Sequence, residues 1–306
     1  MISCKKDNPH TVDVSHIEVN FSVDRFDQDF YTSSLEDLPK LKSKYPYFFP
    51  KATPDSVWIQ KKQDKDELEL FAEVQKKYES IDELTKELES LFKHVKYYYP
   101  NFKSPNVTTV LTNIDYNYRV IYNVQSLLIS LDVYLGENHE FYNDYPAYIK
   151  ENNTKEGIIV DVANEIIRTK ISVNNDRTFL GKMIFEGKKL YLLDLFLPMV
   201  SEKQKSGFLK EKIAWANENE EQVWRYFIDK NLLYSTDSDL DKRFLDLAPF
   251  SKFYLQLDND SPGQIGKWIG WQIVKSFMDN NDVSLQSLLS MKAQEILKKS
   301  KYKPRN

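Results

Sequence analysis

Three stretches between residues 107 and 135 constrain this chain more than any other feature. Residues 107–114 read V-T-T-V-L-T-N-I and are β-branched. Residues 118–124 read Y-R-V-I-Y-N-V, and residues 127–135 read L-L-I-S-L-D-V-Y-L. Side chains of these types suit a pleated, half-buried surface, and the short spacings predict at least one antiparallel neighbour. Gly136 closes the block. From about residue 140 onward the apolar positions recur at helical spacing instead. The β structure is thereby confined to the N-terminal half. The fold expected is α+β, mainly helical, with a small mixed β-sheet in that half.

The remaining pattern fills in the helices. Residues 17–23 (I-E-V-N-F-S-V) alternate as a strand does, and Asp24 is placed to cap a helix after it. Residues 35–41 predict a short helical piece, and 45–49, with Pro46 and Pro50, an aromatic turn. Residues 64–98 carry two charged amphipathic helices, with Ile81, Leu84, Leu88, Leu91 and Val95 on one face of the second. Ser80 and Glu83 fit a capping box at its start. Further on, Ile158, Ile159, Val162, Ile166 and Ile167 define one buried helical face. Helices are expected over 179–200, 206–230, from the Pro-Gly turn at 261 to 277, and over 284–299. Trp268 and Trp271 read as core anchors, and Gly263, Gly266 and Gly270 as a site of close helix packing. Residues 1–14 are polar and aperiodic and read as a tether, leaving 15–306 as a single domain.

Composition excludes several functions. Net charge is −4, so there is no electrostatic case for nucleic acid as a partner. No run of 18 apolar residues exists, so nothing spans a bilayer as a helix. Eight glycines are too few for a glycine-rich barrel or repeat array. Cys4 is the single cysteine, so no intrachain disulfide forms. Its context, M-I-S-C-K-K-D-N, resembles the end of a bacterial lipoprotein signal, where the cysteine is acylated. The other reading is an incidental surface cysteine in a disordered N-terminus.

One helix carries the outline of a catalytic motif. Residues 160–170 read V-D-V-A-N-E-I-I-R-T-K. Zinc peptidases place two imidazoles four residues apart on one helical face, with a glutamate beside the first as general base. Here Asn164 and Arg168 take the histidine positions, and Glu165 keeps the place of the base. Glu186, in M-I-F-E-G-K on the next helix, stands where a third ligand would come from. An amide is a weak ligand and a guanidinium repels cations, so this set does not bind zinc in the usual way. The four histidines (His10, His16, His94, His139) all precede the helix and share no metal-ligand spacing. On spacing alone, Glu-x-x-Arg is an ordinary helix-surface pair.

Longer blocks add to this reading. I-S-C-K-K-D at the start, Y-P-A-Y-I at 145–149, M-I-F-E-G-K-K-L-Y-L-L-D-L-F-L-P at 183–198 and S-P-G-Q-I-G-K-W-I-G-W-Q-I-V-K-S-F at 261–277 together resemble the GldB family of gliding-motility lipoproteins from Bacteroidetes-type bacteria. That family is similar to zincin-like peptidases with an intact H-E-x-x-H and a later E-G segment. The resemblance implies a zincin-like domain whose peptidase positions fall on Asn164, Glu165, Arg168 and Glu186. It implies a lipid anchor at Cys4 and a place in the cell envelope, periplasmic or at the outer membrane. The implied role is gliding motility, coupled to type IX secretion. With both histidines replaced, the expectation is a non-enzymatic pseudo-peptidase without a cofactor, a binding or structural module. Its partners would be the lipid membrane and other gliding or secretion envelope proteins. The alternative is a residual metal-dependent peptidase or hydrolase working through Glu165. In the first case Arg168 is expected to supply the charge that zinc would have brought, pairing with Glu165, Glu186 or both.

Overall fold

The block at residues 107–135 forms the centre of the only sheet among the described residues. These are residues 12–256 and 258–305 of a computed structural model. In chain order, β1 (Val23–Arg25) leads into α1 (Phe26–Thr32), α2 (Leu38–Lys44), α3 (Asp55–Gln63), α4 (Lys65–Lys77) and α5 (Asp82–Tyr98). Then come β2 (Asn106–Val110), β3 (Val120–Tyr122) and β4 (Ser126–Ser130). The strand order is β1-β2-β4-β3. β1 runs parallel to β2 and β2 to β4, while β3 pairs antiparallel with β4 on the edge, Ile121 facing Leu128. Val107, Leu127 and Ile129 are fully buried, so the central strands carry the core. The chain leaves the sheet through α6 (Ala147–Lys150) and α7 (Lys155–Arg168).

Only helices follow: α8 (Phe179–Phe196), α9 (Glu202–Ser206), α10 (Lys210–Glu218), α11 (Glu220–Asp229), α12 (Asp239–Phe244), α13 (Ile265–Asn280), α14 (Leu285–Ser290) and α15 (Ala293–Ser300). The α+β class holds, with the mixed sheet confined to the N-terminal half. Contacts gather into two compact units, Val14–Glu165 and one built on Ile166–Asn306, and the division falls within α7.

Several boundaries differ from the sequence pattern. Of the strand expected over 17–23, only its last residue pairs, and the strand continues through Asp24 and Arg25. Arg25 therefore stands at the N-cap of α1 in place of Asp24. Phe21, within the expected strand, instead packs its ring edge-on against Phe92, centroids 5.0 Å apart. α8 ends at Phe196 because Leu197 precedes Pro198, and a residue before proline is pushed out of the helical region. The helix expected over 206–230 is two helices separated at Asn219, preceded by a left-handed Gly207 that terminates α9. The helix expected over 284–299 breaks at Met291 and Lys292, both extended.

The glycines of the 261–277 block pack as their spacing suggests. A Cβ on Gly270 would lie 1.9 Å from the Met183 carbonyl oxygen, and one on Gly187 would lie 2.3 Å from the Gly270 carbonyl. α8 and α13 thus cross with their backbones in contact, and no side chain fits between them. Trp268 and Trp271, on the same stretch of α13, are 1% and 0% exposed, anchors of the core.

Candidate functional site

The outline of the peptidase motif lies on α7. Ile158, Ile159, Val162, Ala163, Ile166 and Ile167 are buried, so the periodicity orients the helix as expected. Asp161 fastens it to the end of the sheet: the Tyr134 hydroxyl donates to its carboxylate at 2.8 Å, and Arg119 approaches at 3.6 Å. Burial beside that carboxylate holds the Tyr134 phenol well above its usual range. Asn164 and Glu165 are half-buried and Arg168 is exposed. Asn164 and Arg168 are four residues apart and so share one side of the helix.

Glu186 lies on α8, whose first turn is capped by the Thr178 hydroxyl accepting from Gly181 N–H. Its side chain is 22% exposed and meets two ammonium groups. Lys189, one turn on, donates to it at 2.7 Å, and Lys267 of α13 lies 3.8 Å from its other oxygen. The glycine crossing brings α13 close enough to α8 for that second contact. Burial lowers the Lys267 ammonium below its usual range, and Glu186 pulls in the other direction.

The rest of the 183–198 block is structural. Lys188 is buried and donates to the carbonyls of Leu289 (3.0 Å) and Met291 (2.8 Å), the groups freed where α14 ends. With no carboxylate bonded to it, burial pulls its pKa down to about 8. Asp194, 5% exposed, accepts from Lys205 at 2.9 Å and from the Trp271 indole at 2.7 Å. Lys275 adds a second positive group at 3.9 Å and lies over the Trp271 ring.

The residues present do not fit a zinc site. Asn164 offers an amide and Arg168 a permanent cation, and the Glu186 carboxylate is already held by two lysines. Among the described residues, no group of three or more His, Cys, Asp or Glu side chains has an arrangement that could hold a metal ion. Sequence reasoning named Arg168 as the replacement charge and missed Lys189 and Lys267. Both stood in view inside the 183–198 and 261–277 blocks, as E-G-K-K and I-G-K-W. Cys4 and His10 lie outside the described residues.

The sheet holds a second unusual carboxylate. Asp132, just past β4, is fully buried. One oxygen accepts from the N–H groups of Thr112 (2.9 Å) and Ile114 (2.7 Å), and the other has no hydrogen-bond partner. Burial pushes its pKa up to about 6, against the pull of those two N–H groups and of Lys61. The carboxylate grips a turn in which Asn113 and Ile114 both have left-handed φ, 57° and 56°. For a β-branched residue that conformation is strained.

A family model described as gliding motility protein GldB matches residues 7–304. The chain belongs to the GldB family. No curated protein and no solved structure matches it. Family membership gives the chain a role in gliding motility. Among the described residues no helix is long and apolar enough to cross a membrane.

Proposed function

We propose that this member of the GldB family is a lipid-anchored protein of the cell envelope that serves gliding motility by binding or assembling other envelope proteins, in connection with type IX secretion. It is a pseudo-peptidase on a zincin-like domain. The single observation behind this reading is the Glu186 carboxylate held between Lys189 and Lys267. A peptidase glutamate at that place binds its metal; here internal ammonium groups take the charge. The order of α7 and α8, with N-E-I-I-R on the first and E-G-K on the second, agrees with the zincin-like reading.

The test combines metal analysis of the purified chain with gene replacement in a gliding host. Less than about 0.1 equivalent of zinc is expected, an essentially empty site on the scale of stoichiometric structural or catalytic zinc. Glu165→Gln should glide as wild type, because no general base is needed. Cys4→Ser should lose fatty-acid label and stop gliding. One zinc per chain, or loss of gliding by a folded Glu165→Gln variant, would establish a hydrolase instead.

A further inference from the structure

The last fourteen described residues contrast with the rest of the molecule in charge. Residues 292–305 contain Lys292, Lys298, Lys299, Lys301, Lys303 and Arg305 against one carboxylate, Glu295, in a chain whose net charge is −4. A free segment of this composition would extend and solvate. Here it is fastened down. The Ser300 carbonyl accepts from the Ser276 hydroxyl (2.8 Å) and the Asn280 amide (3.2 Å), and the Lys299 carbonyl from the Asn281 amide (3.1 Å). Lys301 turns the chain in a left-handed conformation, φ 52°. The Tyr302 hydroxyl then donates to the buried Glu220 at 2.7 Å, its ring edge-on to Trp224. Arg305 bonds Asn217 and lies 3.9 Å from Glu220.

The result is a fixed array of lysines. Lys299 has Glu295 at 2.7 Å. Lys292, Lys298, Lys301 and Lys303 are exposed, and among the described residues no carboxylate lies within ion-pair distance of them. Asp279 and Asp282 lie at and just after the end of α13, which packs on α15, and Glu220 meets Tyr302 and Arg305. Four exposed ammonium groups without a carboxylate partner, on a fastened stretch of backbone, leave this segment locally positive and suited to an external anion.

We propose that this lysine face docks on the phosphate headgroups of an anionic phospholipid bilayer. Lysine is a point charge suited to loosely ordered phosphates. Arginine, the bidentate reader of fixed ones, occurs once, and it is engaged with Asn217 and Glu220. No exposed aromatic side chain alternates with the lysines to stack bases, since Tyr302 is turned onto Trp224, and this disfavours a nucleic acid. The inference rests on the anchoring proposed at Cys4: a span from residue 4 to residue 12 reaches at most about 30 Å. The described residues ahead of Val14 belong to the same compact unit as the lysine face.

The test uses the full chain with Cys4→Ser, so that no acyl chain contributes, in co-sedimentation with phosphatidylcholine vesicles with or without 30% phosphatidylglycerol. Binding is expected only to the anionic vesicles and should weaken in high salt. Lys292→Glu, Lys298→Glu, Lys301→Glu and Lys303→Glu together should lower partitioning at least about 100-fold. An equal charge reversal at Lys40, Lys65, Lys77 and Lys86 should leave more than half the binding, with circular dichroism confirming both folds. Equal loss in the two variants, no preference for anionic vesicles, or binding to heparin but not to vesicles would overturn the proposal. Fatty-acid labelling of Cys4 in cells tests the anchor separately, so either reading can fail alone.

Discussion

Asp194 in one compact unit and Asp132 in the other are buried carboxylates held in opposite ways, although each unit also has the other kind: Asp27 pairs with Arg25 in the sheet unit, and Glu220 among the helices has one oxygen without a hydrogen-bond partner. In Ile166–Asn306, Asp194 and Glu186 are each met by lysines, with an indole N–H added at Asp194. In Val14–Glu165, Asp132 is met only by two backbone N–H groups, and one of its oxygens is left without a partner. Pairing keeps a buried charge tolerable across pH, whereas backbone donors alone leave burial as the dominant influence. Asp194 is therefore held by fixed positive charge, whereas the charge of Asp132 is a function of pH near neutrality.

Three substitutions test this contrast. The largest effect is expected at the helix crossing that brings Lys267 to Glu186. Gly270→Ala places a methyl 1.9 Å from a backbone oxygen, which no side-chain movement relieves. It should cost more than about 5 kcal/mol and abolish folding of the helical unit, read by urea unfolding. A variant that keeps its midpoint would mean the crossing is loose and the ion pair incidental.

Next, Asp194→Ala leaves Lys205 buried without its anion and the Trp271 indole without its acceptor. The expected loss is about 3–5 kcal/mol. Combining it with Lys205→Met should restore part of that loss, because the stranded charge is then gone. Strict additivity of the two changes would show that the pair is not coupled.

Asp132→Asn is the smallest and the most specific. The folded pKa, about 6, lies above the ordinary aspartate value of 3.8. The folded state thus holds a proton that the unfolded state has lost between those values. Stability from the neutral acid is complete below about 3.8 and is lost as pH rises through about 6, by about 3 kcal/mol. Asparagine cannot ionise and still offers an oxygen to Thr112 and Ile114. The difference in unfolding free energy between variant and wild type should therefore change by about 2 kcal/mol between pH 4 and pH 7. A constant difference would show that Asp132 is effectively solvated and would remove the contrast with Asp194.

Legibility followed locality. α7, α8 and α13 could be read from the chain because their apolar periodicity is a property of neighbouring residues. The breaks at Asn219 and at Met291 could not. The latter is stabilised by Lys188, about a hundred residues earlier in the chain, donating to carbonyls that a continuous helix would have used. The strand expected over 17–23 had the right alternation, but a strand exists only where a partner runs beside it, and β2 meets it from Val23 onward. At the candidate site the absence of histidine at 164 and 168 was legible, and so was the i,i+3 pair of Glu186 with Lys189; the contact from Lys267 was not. A lysine in a charged run carries no sequence mark of which carboxylate it will meet.

The sequence by itself determined the α+β class, the helical character of the second half, the absence of histidine at 164 and 168 and the small residues at the crossing. These follow from residue type and short-range spacing. The tertiary structure decided which charges meet. Lys267 reaches Glu186 because Gly187 and Gly270 let two helices touch, and Asp132 is left to backbone donors because it lies at the buried end of β4. Ion pairing depends on distance in space and on burial, and the chain acquires both only when it folds.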